Sequence, residues 1–391
     1  DTSHSLQKEC PRGHTGLMAS IMRISASCAV GTERVLAEEL KHLGLSPLDK
    51  RAGRVDFMAD KTVLARALVG LRTADRLFLV AGVFPADDFD QLFEGIRQLP
   101  WEQWVGRNDQ LVIEKARSMR SRLSAQTSIQ SISLKAAYDR LCKLYKVNRM
   151  PETGRKAIAR LRLDNDQATV ELDLCGEALS RRGYRKQPTE APLKESVAAA
   201  ILFMSGWRRS FPLYDPFCGS GTIPVEAALY AFDIAPGLGR NFSWETMPEG
   251  SPRDVELAKE HARARVNMDR EVLIAGSDAD QASLDASLAN AGLAGVSDRI
   301  RFFRARAELA APFSDRGFMI TDPPYGKRLG TPEEADTLYA SLSRFAERFA
   351  AWEQCFVVDR EDFSIFTDRR GKHAKIVDGA ETRWLHRYSP G

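Results

Sequence analysis

From Met22 onward the apolar positions of the chain change period repeatedly. Arg23 to Cys28 reads as a short strand, Thr32 to Leu43 as a helix, Gly53 to Met58 as an alternating strand, and Lys61 to Leu71 again as a helix. A strand over Arg76–Gly82 and a helix over Phe89–Gln98 follow, so this region predicts α+β units of ferredoxin-like size. From Gln110 a further unit begins with the strand "LVIEKARS" and a helix over Ser128–Tyr145. The stretch "KAIARLRLDNDQATVELDL" then alternates in two arms about Asp164, Asn165 and Asp166, the pattern of a β-hairpin.

The character changes after "RRGYRKQPTEAPL", Arg181 to Leu193, whose prolines and cations mark a linker. Beyond it, strands at "LYDPF", "EVLIAGSD", "RIRFFRA", "GFMITD" and "CFVVD" alternate with helices at Thr222–Phe232, Asp280–Ala291 and Glu333–Ala350. Such alternation implies βαβ crossovers and a mostly parallel, doubly wound α/β sheet, in which ligands bind outside the carboxyl ends of the strands.

Three of those strand ends carry chemistry. In "DPFCGSGTIP", Gly219 and Gly221 at a strand-to-helix turn let backbone approach a ligand and leave helix N–H groups free. The third glycine of a dinucleotide fingerprint is replaced by Pro224, and no phosphate loop of the G-x-x-x-x-G-K-[ST] type exists, which points to a nucleoside without a pyrophosphate. In "GSDAD", Asp278 can accept both hydroxyls of a ribose, while Asp280 reads as a helix N-cap. The stretch "PGLGRNFSWETMPEGSPRD" between these two sites reads as an insertion. In "ITDPPYGKRLG", two prolines end the strand and leave carbonyls that no ladder uses. There Asp322 Oδ and the Pro323 carbonyl could accept the two N–H groups of an exocyclic amine on a flat base, with Tyr325 stacked on the ring and a methyl donor against the glycine turn.

Composition is that of a soluble globular chain: 43% hydrophobic and 28% charged residues over 391 positions, enough for more than one domain. No apolar run of about 18 residues predicts a membrane span. The six cysteines show no C-x-x-C spacing and no histidine partners, so a reduced cytoplasmic protein without a metal site is expected. Residues 1–21 lack a secretory core and read as a disordered extension outside the fold. Charge changes the picture more. Lys115 to Lys186 holds 17 Lys and Arg against 7 Asp and Glu, so a chain of net charge +3 concentrates its positive charge in one address, the footprint of a polyanion partner.

The tetrapeptide Asp322–Tyr325 downstream of "DPFCGSGT" resembles S-adenosylmethionine-dependent methyltransferases of exocyclic base nitrogens. With "RRGYRKQPTEAPLKESVAAAIL" and "PGLGRNFSW" added, the chain from Met22 is similar to the guanine-N2 RNA methyltransferases that carry a THUMP domain, including the bacterial 23S ribosomal RNA enzymes. The resemblance implies a ferredoxin-like domain (22–75), a THUMP RNA-binding domain (76–180), a linker (181–193) and a Rossmann-like methyltransferase domain (194–391). It implies Asp215, Phe217, Gly219, Gly221 and Thr222 on the methionine and ribose side of the cofactor, Asp278 on the ribose, and Pro192 with Leu193 closing over it. Asp322, Pro323, Pro324 and Tyr325 would form the base site, and Arg182, Arg185, Lys327 and Arg328 would meet phosphate. The acid that relatives use for the cofactor's adenine is replaced here by Ala305 or Arg306. Ribosomal RNA is the expected substrate. The tetrapeptide equally serves guanine-N2 methylation of tRNA and adenine-N6 methylation of DNA or RNA, and a non-catalytic RNA-binding protein with a vestigial pocket is the reading from another class.

Overall fold

The computed structural model describes residues 21–185, 193–324, 342, 345–366 and 371–390. The first half folds as β1 (Met22–Ser27), α1 (Glu33–His42), β2 (Pro47–Arg51), β3 (Arg54–Ala59), α2 (Lys61–Gly70), β4 (Arg76–Pro85), α3 (Phe89–Gln98), β5 (Gln110–Met119), α4 (Gln126–Tyr145), β6 (Lys156–Asp164) and β7 (Gln167–Asp173). Local chemistry sets several of these boundaries. Asp60 and Asp88 cap α2 and α3 by accepting from Val63 N and Gln91 N at 2.7 Å each. The hairpin between β6 and β7 turns at Asn165 and Asp166, both left-handed (φ 49° and 57°), as a two-residue turn requires.

All seven strands join one sheet, in the order β2-β3-β1-β4-β7-β6-β5. The two N-terminal α+β units therefore share a continuous sheet, with β4 pairing β1 on one side and β7 on the other. One face of that sheet carries the helices and a single apolar core, from Ile24 and Phe57 through Leu79 to Leu161 and Val170.

The second half runs α5 (Glu195–Ser205), β8 (Leu213–Asp215), α6 (Thr222–Ala231), α7 (Pro252–Ala264), β9 (Ile274–Asp278), α8 (Gln281–Leu293), β10 (Ile300–Arg304), β11 (Phe318–Thr321), β12 (Glu353–Val358), β13 (Lys372–Asp378) and β14 (Glu381–Tyr388). Its sheet has the order β10-β9-β8-β11-β12-β14-β13, parallel from β10 to β12 and antiparallel over the last two strands. This is the expected doubly wound α/β architecture with an antiparallel edge. The predicted helix over 333–350 lies largely outside the described residues.

The stretch read as an insertion is structural. Its last residues open α7, which packs on α2, and Phe242, Trp244 and Met247 join the N-terminal core. A Cβ on Gly237 would fall 2.6 Å from Val69 Cα, so the close approach of this segment to α2 needs glycine. A second junction pairs Val30 with Val377 through two 2.9 Å backbone hydrogen bonds. Among the described residues no helix is long and apolar enough to cross a membrane.

Candidate functional site

Strands β9, β8 and β11 are neighbours in the parallel sheet, and their carboxyl ends deliver Asp278, Asp215 and Asp322 to one cavity of about 990 Å³. Leu193, Phe217, Gly219, Thr222 and Pro324 line the same space. Gly221 and Pro323 are not among the lining residues. Pro192, Tyr325, Lys327 and Arg328 lie outside the described residues.

The glycine turn is held from below by polar side chains. Gly219 is left-handed (φ 52°), with nothing within 4 Å of where a Cβ would stand, so its backbone faces open space. Gly221 (φ 78°) stands in front of α6, and a Cβ there would meet Ser287 Cβ at 3.0 Å and Phe302 Cζ at 3.1 Å. Ser287 Oγ donates to Gly219 O at 2.6 Å and Asn290 Nδ2 to Ser220 O at 2.9 Å, so α8 carries the turn. Asp278 accepts from Gly219 N at 3.0 Å and from Asp280 N at 2.9 Å, one bond on each oxygen. Each oxygen keeps a further lone pair for a ligand hydroxyl. Asp280 caps α8, accepting from Ser283 N at 2.9 Å.

Asp215 is fully buried at the end of β8, and its Oδ1 accepts from Thr321 Oγ at 2.6 Å and from Phe217 N at 3.1 Å. Burial pushes its carboxyl up to about 8; the two hydrogen bonds pull against that, and the charges of Asp322 and Asp278 reinforce it. Thr321 closes β11 directly before Asp322, so this bond ties the strand bearing the base motif to the strand bearing the glycine turn. Sequence reasoning passed over Thr321, Ser287 and Asn290, whose letters carry no signal of their partners.

Past Asp278 the cavity is rimmed by Arg304, Arg306, Ala307 and Glu308. Ala305 instead turns its N–H to Asp278 O at 3.1 Å. The acid missing at Ala305 has a neighbour on the rim: Glu308, held by Arg306 at 3.3 Å and kept below the usual carboxylate range by that hydrogen bond.

Of the cations expected to meet phosphate, the two that lie among the described residues, Arg182 and Arg185, face inward. Arg182 is buried, with Nε 3.4 Å from Glu226 Oε1 and its other nitrogens donating to the Leu179 and Arg72 carbonyls. Tyr184 Oη donates to the same Glu226 oxygen at 3.1 Å. A guanidinium so enclosed has exchanged water for protein acceptors and offers nothing to a polyanion, so Arg182 is a structural residue. Arg185 donates to Thr222 Oγ1 at 2.6 Å and to Leu193 O at 3.1 Å, bracing the cavity wall from behind.

An acid-lined, partly open cavity beside a glycine turn suits a nucleoside that carries hydroxyls and positive charge, and S-adenosylmethionine carries both. Comparison with known proteins points the same way. Residues 182–383 match the family described as RMKL-like, methyltransferase domain, and residues 23–78 match the RlmL ferredoxin-like domain. YpsC of Bacillus subtilis, named as an RNA methyltransferase, is 33% identical across 90% of this chain and 92% of its own. The ribosomal RNA large subunit methyltransferase K/L of Syntrophotalea carbinolica is 33% identical across 94% of this chain but 54% of its own, so the chain spans about half the length of that relative. Among solved structures, the methyltransferase SMU.472 complexed with SAH superimposes with a TM-score of 0.89 at 33% identity, covering 96% of this chain and 99% of that one.

Proposed function

The chain belongs to the RMKL-like, S-adenosylmethionine-dependent methyltransferase family, and from that premise we propose that it methylates the exocyclic N2 of a guanine in RNA, with large-subunit ribosomal RNA as substrate. The observation that carries the proposal is the convergence of Asp215, Asp278 and Asp322 on one cavity at adjacent strand ends. In this reading Asp278, Gly219 and Phe217 hold the cofactor, which supplies a methyl group activated on a sulfonium. Leu193, Thr222 and Gly221 shape its wall, and Glu308 takes the adenine end.

An exocyclic amine is a weak nucleophile because its lone pair is shared with the ring. Asp322 and the Pro323 carbonyl accept its two N–H bonds, which localises that pair and aims it at the methyl carbon. Transfer leaves an extra proton on N2, and Asp322 is the acceptor beside it. Alignment of the two reactants is worth about 7–11 kcal/mol of barrier, and each preorganised polar contact about 3–4. Tyr325 stacks on the extruded base in this scheme.

RNA is favoured by the names of YpsC and the K/L relative and by the cationic segment from Lys115 to Lys186. Residues 76–180 are assigned to a THUMP domain and residues 22–75 to its ferredoxin-like companion. The test is to incubate the chain with labelled S-adenosylmethionine and deproteinised ribosomal RNA, tRNA or DNA, then digest and identify the nucleosides by mass spectrometry. N2-methylguanosine from large-subunit RNA is expected; N6-methyladenine, or label in DNA alone, would refute it.

A further inference from the structure

Among the described residues, the seven-stranded sheet of the first half has its helices on one side only, and the other side is rich in charged residues. Strand alternation sends Arg54 and Asp56, Phe78, Glu171, and Arg160 and Arg162 to that side. Their side chains span several strands. Arg54 reaches from β3 past β1 and β4 to pair with Glu171 on β7 at 3.0 Å, and Arg54 and Arg160 both lie over the Phe78 ring, at 4.7 and 4.9 Å.

The acids here are already claimed. Asp56 takes both Arg23 at 2.7 Å and Arg51 at 3.0 Å, and Glu171 takes Arg54. Arg162 has no acid of its own. It is half-buried, its Nε lacks a hydrogen-bond partner, and no described residue forms an ion pair with it. The exposed Arg117 stands beside it in register on the edge strand β5. Burial and the charge of Arg51, with Arg54 adding and Glu171 and Asp56 opposing, hold the Arg162 guanidinium below its ordinary value.

A half-buried guanidinium whose Nε has no acceptor, set among other arginines, is a site short of an anion. Its planar N–H fork fits two oxygens of one phosphate. We infer that Arg162 and Arg117, backed by Arg51 and Arg54, form a phosphate-binding surface on the helix-free side of this sheet, and that it takes the sugar–phosphate backbone of the RNA substrate. The inference rests on the RNA reading above and adds where the chain grips. It also moves the grip away from Arg182 and Arg185, which are turned inward, and away from the helical side of the same unit.

The test uses the full chain with Arg162→Gln and Arg117→Gln, singly and together. Binding of a fluorescein-labelled RNA stem–loop is followed by anisotropy over a range of KCl concentrations. The double variant should lose about tenfold in affinity at low salt, and its slope of log Kd against log[KCl] should flatten by about two units, one per lost phosphate contact. KM for RNA should rise while kcat at saturating RNA and the affinity for S-adenosylmethionine stay unchanged. Lys135→Gln with Lys146→Gln, exposed cations on the helical side, should alter neither slope nor KM. Arg117 is exposed on an edge strand, so its variant reports on binding without threatening the fold.

An unchanged slope in the double variant overturns the inference, as does an equal loss in the Lys135 and Lys146 variant. Loss of poly-glutamate binding with RNA affinity intact would assign the surface to an acidic protein segment instead. A wild-type chain that methylates RNA beside indifferent variants sinks this inference alone. A wild-type chain that neither binds nor methylates RNA sinks the reading beneath it as well.

Discussion

Asp215 is a buried carboxyl at the cavity whose charge state its surroundings constrain. Without cofactor its carboxyl titrates at about 8, so near neutral pH it holds its proton inside the cavity. S-adenosylmethionine is cationic at its sulfonium and its ammonium, and an ionised Asp215 attracts it where a neutral one does not. Binding should therefore release a proton whenever the solution lies below about pH 8. The ionised fraction is about 1% at pH 6 and about half at pH 8, so the apparent affinity should rise roughly 50-fold between them, about 2.3 kcal/mol. Isothermal titration calorimetry at both values, in two buffers of different ionisation enthalpy, measures the affinity and the proton together. Asp215→Asn should flatten the profile at the weak end. Stability of the empty protein runs the opposite way. The unfolded carboxyl ionises near 3.8 while the folded one keeps its proton to about 8, so stability present below the first value is lost as pH climbs towards the second. The loss is about 1.4 kcal/mol per pH unit over that window. A wild-type affinity that is flat from about pH 6 to 8, or an Asp215→Asn variant that keeps the wild-type slope, would refute the reasoning.

Three further outcomes are expected. Asp322→Ala should lower the rate of methyl transfer about 10²–10³-fold with cofactor affinity intact, and Asp322→Asn, which keeps an acceptor, should retain more of it in the same single-turnover assay. Arg182→Gln should cost about 3–5 kcal/mol in urea denaturation, because it leaves Glu226 buried without its cation, and should leave the salt dependence of RNA binding alone. Gly221→Ala forces a left-handed residue and a 3.0 Å contact with Ser287, so about 1–3 kcal/mol of strain should appear as weaker cofactor binding in the calorimeter.

How much of this was legible in the chain depends on where each signal lives. Strands and helices whose periods are local were readable: the helix near Phe89–Gln98 is α3, and the Asn165–Asp166 turn announced its hairpin. Segments that owe their form to a neighbour were not. The strand β2, "PLDKR", is a charged edge that exists because β3 pairs with it, and the β13–β14 hairpin is likewise rich in charge. Helix α7 carried a start signal, Ser251 followed by Pro252, that lies inside the stretch read as an insertion; its apolar face is explained by α2 and by the turn over residues 243–246, not by its own letters. Glycines and prolines at strand ends mark a site because few other roles demand them. Arginine has no such meaning: Arg162 and Arg182 are the same letter in the same basic segment, and partners distant in sequence, Glu226 44 positions after Arg182 and the Arg72 carbonyl, make one of them interior. The site itself has this character. Asp215 and Thr321 stand 106 residues apart and meet because β8 and β11 are adjacent strands, a fact of sheet order that no window of sequence contains. Local chemistry thus names the groups, and topology decides which of them share a proton, a pocket or a charge.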